Sequence, residues 1–166
     1  FKGMEGICVY FHDDQKILKV KGAQYLYLHR AKSEISSIEK VMDVYLGRFF
    51  ELGKAPTYQE FFSYLETTFD HEIACMARGH VSNICDAMKE VERIVEGMKT
   101  FAAGCGVTQI AGRTVTLNPK QSRAMAAQKI LQAYGNTSRS SFVFKILDGK
   151  KFVADDYKKL LFQVLK

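Results

Sequence analysis

The chain has 166 residues, 47% apolar and 25% charged, with 12 Phe, 8 Tyr and only two prolines. That composition supports a packed core and excludes a disordered or low-complexity chain, and no apolar run approaches the roughly 18–20 residues that span a bilayer. Its net charge of +6 is uneven: residues 1–100 carry 13 Lys+Arg against 15 Asp+Glu, a net of −2, while residues 101–166 carry 11 Lys+Arg against Asp148, Asp155 and Asp156, a net of +8.

A basic third of this kind concentrates polyanions without specifying which one. The N-terminus lacks the layout of a signal peptide. Cys8, Cys75, Cys85 and Cys105 are widely spaced and read as reduced thiols of an intracellular protein, in cytoplasm or nucleus. The chain starts at Phe1 and ends in a helical run, so it reads as a module of something larger. The Asn136-Thr137-Ser138 sequon is read as chance in a chain without secretory features.

In chain order, GICVYF and KILKV flank Asp13-Asp14-Gln15 and predict a β-hairpin. Tyr25 to Leu28 reads as a third short strand. Ile35, Ile38, Met42, Tyr45, Phe49 and Leu52 fall on one face of a long helix, with Ser36 and Glu39 (or Ser33) at its start and Gly53 at its stop. Pro56 and Thr57 open the next helix. Thr57-x-x-Glu60 is a capping box, and Phe61, Phe62, Leu65 and Phe69 supply the core face.

Gly79 is expected to interrupt the helical stretch, with Ser82 or Asn83 capping a third long helix. Ile84, Met88, Val91, Val95, Met98 and Ala102 repeat at helical spacing on it, and Gly104 and Gly106 end it. GVTQI and RTVTL around Ala111-Gly112 read as a hairpin. Asn118 and Pro119 start a helix that Gly135 stops after Tyr134. Asn136 to Ser141 reads as a polar loop. FVFKIL and KKFVA around Asp148-Gly149 predict a type I′ hairpin. Asp155 or Asp156 caps a last helix with Leu160, Leu161, Val164 and Leu165 apolar.

The fold class expected is therefore α+β: three long helices packed with β-hairpins at both ends of the chain, and a C-terminal helix. The 166 residues form one module, or two lobes with a mainly helical body over 1–104 and a basic hairpin–helix lobe over 105–166.

Three stretches bear on chemistry. His71, Cys75, His80 and Cys85 are all able to ligate zinc. Cys75-x4-His80-x4-Cys85 resembles the latter part of a retroviral zinc knuckle, although Glu72 stands where the first knuckle cysteine belongs. The favoured reading is a helix–loop–helix without metal. The second stretch, KQSRAMAAQKIL from Lys120 to Leu131, resembles the second helix of a double-stranded RNA-binding domain. That resemblance covers about 20 residues. It implies phosphate contacts from Lys120 and Arg123, and packing by Ala126 and Ala127. The third, KAPTYQEFFSYL from Lys54, is loosely similar to the first helix of winged-helix DNA-binding proteins. The favoured reading of that stretch is a well-capped amphipathic helix.

No P-loop, dinucleotide fingerprint, nucleophile elbow or zincin motif is present in the sequence, and no cofactor is expected. His12 beside Asp13-Asp14 reads as a solvated turn. The Ser138-Arg139-Ser140-Ser141 run is open to phosphorylation, which would lower the local positive charge.

The leading expectation is a non-catalytic module binding nucleic acid, DNA or RNA, mainly through phosphates. Arg113, Lys120, Arg123, Lys129, Arg139, Lys145, Lys150 and Lys151 are the contacts expected. Tyr134, Phe142, Phe144 and Phe152 would stack on bases if single strands are bound. The alternatives are a protein-interaction or oligomerisation module, and an enzyme of unfamiliar chemistry.

Overall fold

A computed structural model describes residues 6–13, 15–105, 109–110, 113–114 and 119–166, with no side-chain description for Gln24 or 106–120. The described residues are mainly helical and carry two small antiparallel ribbons. The chain divides into two compact units, Phe1–Cys85 and Asp86–Lys166. Among the described residues, no helix is long and apolar enough to cross a membrane.

The first unit opens with the expected hairpin. Strand β1 (Gly6–Phe11) pairs antiparallel with β2 (Lys16–Lys21), with Ile7 opposite Val20 and Val9 opposite Leu18. Tyr25–Leu28, expected as a strand, belongs instead to helix α1 (Ala23–Glu34). Leu28, Ala31 and Ile35 recur at helical spacing, and the last two are buried. That period outweighs the local β preference of the tyrosines.

Helix α2 (Ile38–Leu52) is capped by Ser37, whose hydroxyl accepts from Lys40 N–H. The start thus lies one residue beyond the expected Ser36. Gly53 ends it at φ 68°, as the sequence indicates. Helix α3 (Tyr58–Thr68) carries the predicted capping box in full. Glu60 N–H donates to Thr57 Oγ1 at 3.3 Å, and Thr57 N–H donates to Glu60 Oε2 at 2.8 Å. The Thr57 N–H, with the Thr57 hydroxyl and the charge of Lys54 also favouring the carboxylate, holds the Glu60 carboxyl below its ordinary value. Buried Tyr45 packs edge-on against Phe61 at 5.0 Å, and its hydroxyl donates to Pro56 C=O. Fully burying a ring such as Phe61 contributes roughly 1.5–3 kcal/mol.

The break in the next helical stretch falls at Ala77 and not at Gly79. Helix α4 (His71–Met76) ends there, and α5 (Arg78–Cys105) begins immediately. Gly79 is an exposed position inside α5 with open space around it. A helix tolerates such a glycine at a cost of about 1 kcal/mol. The expected stripe Ile84, Met88, Val91, Val95, Met98 and Ala102 is buried. Gly104 lies within α5, and the structure of Gly106 is outside the described residues.

In the second unit, β3 (Gln109–Ile110) pairs with β4 (Arg113–Thr114). The rest of that predicted hairpin, and Asn118, lie outside the described residues. Helix α6 (Pro119–Tyr134) ends at Gly135, φ 62°, as expected.

The expectations for residues 136–154 fail. Of the expected loop Asn136–Ser141 only Asn136 and Thr137 lie outside a helix, because helix α7 (Ser138–Leu147) starts at Ser138. The serines sit in its first turn and return their hydroxyls to backbone carbonyls, Ser140 to Thr137 and Ser141 to Ser138. Nor is there a hairpin at Asp148-Gly149. FVFKIL is the body of α7, with Phe142 and Val143 buried. Only Gly149 is left-handed (φ 67°), while Asp148 has φ −77°, whereas a type I′ turn needs two positive values. Gly149 N–H donates to Ile146 C=O, and Lys150 N–H donates to Lys145 C=O. This is a Schellman stop.

Helix α8 (Ala154–Leu165) closes the chain. Val153 is its N-cap residue, and Asp156 Oδ2 accepts from Val153 N–H at 2.9 Å. Buried Leu160 and Leu161 face the core, with Ile130 of α6 and Val143 of α7 also fully buried.

Candidate functional site

Charge follows the division into units. Phe1–Cys85 carries 10 Lys+Arg against 11 Asp+Glu, a net of −1, and Asp86–Lys166 carries 14 against 7, a net of +7. Two grooves in the second unit gather cations, and both are lined by the first turn of α7.

The first groove, of about 560 Å³, is lined by Arg93, Ile94, Gly97, Met98, Thr100 and Phe101 of α5 with Tyr134 and Arg139. Phe101 and Tyr134 meet edge to face at 5.2 Å, both half-buried. A Cβ added at Gly97 would meet nothing within 4 Å, so the groove is open above the helix backbone there. Arg93 forks onto Glu90 through Nε at 2.9 Å and Nη2 at 2.7 Å. That hydrogen bonding, with the more distant Arg139 charge, lowers the Glu90 pKa. Arg139 is exposed and makes no ion pair among the described residues. A guanidinium fork beside an aromatic face suits both a phosphate and a base.

The second groove, of about 330 Å³, is lined by Ser138, Ser141, Lys145, Asp148, Lys150, Asp156 and Lys159, with Phe142 and Phe144. Lys145, partly exposed, donates to the carboxylate of buried Asp156. Burial alone would raise the Asp156 pKa, but the hydrogen bonds from Lys145 and Val153 N–H outweigh it and lower the value. Gln163 donates to Ser138 Oγ at 2.7 Å, tying α8 to the start of α7. The N-cap residue Thr137 makes no side-chain cap bond, and its hydroxyl donates back to Tyr134 C=O.

The residues expected to contact phosphate are thus spread over several roles. Arg139, Lys145 and Lys150 line grooves, and Lys151 is exposed just beyond α7. Arg123 is exposed but paired with Asp148 at 2.6 Å. Lys129 is half-buried, and its charge partly offsets the burial that raises the Cys105 pKa. Arg113 belongs to β4 and Lys120 to the first turn of α6, and their side chains lie outside the described residues. The four expected stacking aromatics also divide. Tyr134 lines the arginine groove, Phe142 is buried, Phe144 lines the second groove, and Phe152 sits between Phe142 and Tyr157. Arg93, Phe101 and Lys159 were not among the residues expected. They join the site only because α5 and α8 pass the start of α7.

In the first unit, the four metal-ligand candidates take different positions. His71 and Cys75 are one turn apart on α4 with Nε2 to Sγ at 3.4 Å. His80 is half-buried on α5, and Cys85 is buried. Among the described residues, no group of three or more His, Cys, Asp or Glu is placed to hold a metal. Instead His71 Nδ1 meets Glu66 Oε1 at 2.6 Å, and Arg78 Nη2 donates to Cys75 Sγ at 3.4 Å.

No protein-family model matches the chain, and no curated protein or solved structure matches it significantly.

Proposed function

We propose that the Asp86–Lys166 unit is a non-catalytic nucleic-acid-binding module that holds phosphates with cations and accepts an unpaired base on Tyr134. The observation that carries this reading is the α5–α6–α7 groove, where Arg93 and Arg139 flank the Tyr134–Phe101 pair over the open backbone at Gly97. Lysines 145, 150 and 159 extend the cationic lining past the start of α7. A charge of +7 in this unit gives the long-range attraction.

Gly97→Leu tests the reading with little risk to the fold. Leucine improves helix propensity by about 0.5–1 kcal/mol and directs its side chain into the groove. Fluorescence anisotropy with labelled single-stranded and duplex oligonucleotides should show weakened single-strand binding with the thermal midpoint kept or raised. Arg139→Ala should weaken binding and reduce the log–log salt slope by about 0.7 for a single strand. Wild-type protein that binds neither oligonucleotide at low salt would end the proposal.

One observation favours a second reading, that of a protein-interaction module. Ile7, Phe11, Leu18 and Val20 lie on one face of the β1–β2 ribbon and are exposed. An uncovered apolar ribbon face suits a protein surface.

A further inference from the structure

We propose that Cys75 is a reactive thiol that forms mixed disulfides with low-molecular-weight disulfides, with His71 as its base. The contacts run in series from Glu66 at the end of α3, through His71 and Cys75 on α4, to Arg78 at the start of α5. Glu66 Oε1 lies 2.6 Å from His71 Nδ1, and the opposite ring nitrogen, Nε2, lies 3.4 Å from Cys75 Sγ. With Nδ1–H donated to the carboxylate, Nε2 turns its lone pair toward the thiol. Arg78 donates to the same sulfur at 3.4 Å, and its guanidinium lies over the Phe62 ring at 5.4 Å. Sulfur therefore has a proton acceptor on one side and a cation on the other, the surroundings of a reactive cysteine.

The other cysteines lack this setting. Cys85 and Cys105 are buried. Cys8 is exposed opposite Lys19 on the ribbon, and its thiol makes no hydrogen bond among the described residues. Cys75 itself is only half-buried, and the His71 side chain beside it is 73% exposed, which leaves the pair open to a small reagent.

The exchange balances without another component. Cys75 passes its proton to His71 Nε2, and its sulfur attacks one sulfur of the disulfide. The S–S bond breaks as the Cys75–S–S–R bond forms. The departing thiolate takes the proton from the imidazolium. Cys75 is oxidised and the released thiol is the reduced product, so the disulfide is the oxidant.

Glutathione disulfide is the probe, applied to the folded full chain, with Cys8 as internal reference. Peptide mass spectrometry should show Cys75 modified about 10-fold or more faster than Cys8. This is below the hundredfold typical of an enclosed base, because the pair is open to water. His71→Ala should remove that advantage and leave Cys8 unchanged, and Glu66→Gln should reduce it. If His71→Ala also exposes buried Cys85 to modification, the fold has been lost and Glu66→Gln carries the test. Equal rates at Cys75 and Cys8, or a Cys75 rate indifferent to Glu66→Gln, would overturn the proposal.

Discussion

Arg123 on α6 reaches Asp148, the cap residue of α7, with Nη1 to Oδ1 at 2.6 Å and Nη2 to Oδ2 at 3.4 Å. Hydrogen bonding to Arg123 lowers the Asp148 pKa, and the same contact raises that of Arg123. A phosphate must compete with this carboxylate for the guanidinium. Asp148→Asn is therefore expected to tighten polyanion binding and to steepen the log–log salt slope by about 0.7–0.9, one added phosphate contact. The check is an anisotropy titration at several salt concentrations. An unchanged slope would take Arg123 out of the phosphate path.

Asp156 links α7 to α8 through Lys145 and takes the Val153 N–H at the helix start. Its pKa is lowered in the folded chain, so it binds a proton less readily there than in the unfolded chain. Its contribution is therefore present above the unfolded carboxylate value, about 3.9, and is lost as pH falls through the depressed folded value. Asp156→Asn should cost about 1.5–3 kcal/mol at neutral pH, the range for hydrogen bonds to a charged group. It should also shrink the loss of stability on acidification. Urea unfolding at neutral and strongly acid pH compares the two chains. Equal acid sensitivity would show that other carboxylates dominate.

The legible parts of the fold are those where local signals agree. Thr57 and Glu60 formed their capping box because the two side chains and two backbone N–H groups satisfy one another without help from distant residues. The α5 stripe from Ile84 to Ala102 was legible because an unbroken helical period fixes which face is buried. The 142–154 stretch misled because β-branched and aromatic residues beside Asp-Gly suit a hairpin and a helix stop alike. Burial of Phe142 and Val143 against the rest of the second unit decided between them. The arginine groove had only partial signal. Arg139 and Tyr134 stood out in the basic third, whereas Arg93 and Phe101 precede that third or open it and come near only through tertiary packing. The Glu66–His71–Cys75 series was half visible. The His71/Cys75 spacing was noted for metal, but no local pattern points to Glu66 or Arg78.

Gly149 carries the α7 stop in a left-handed conformation, φ 67°, and a Cβ there would meet nothing within 4 Å. The cost of Gly149→Ala is therefore backbone strain with no clash, about 1–2 kcal/mol. Gly149→Asn should cost less, since asparagine tolerates this conformation better. Urea midpoints of the two variants give the order. An alanine variant as stable as wild type would mean that the Schellman bonds from Gly149 and Lys150 do not hold the turn.

Asp70 joins α3 to α4 at φ 128° and ψ 172°, a region open essentially only to glycine. Its carboxylate caps α4 by accepting from Ile73 N–H at 3.0 Å. Strain of this kind costs about 1–3 kcal/mol. Losing an N-cap to alanine costs about 0.5–2 kcal/mol, but replacing it by glycine costs only a few tenths. The two substitutions should therefore have opposite signs. Asp70→Gly relieves the strain and is expected to stabilise by about 1–2 kcal/mol. Asp70→Ala keeps the strain, loses the cap and is expected to destabilise by about 0.5–2 kcal/mol. Denaturant unfolding followed by far-ultraviolet circular dichroism reads both. Two destabilised variants would show that the cap outweighs the strain. Asp70 immediately precedes His71, so the strained residue also sets the path by which the imidazole is aimed at Cys75 and Glu66. The freer glycine backbone should therefore slow exchange at Cys75 even as it raises stability, a trade common where strain fixes a reactive geometry. A glycine variant that is more stable and equally reactive would place the strain outside the chemistry and leave it as a constraint of the short α3–α4 connection.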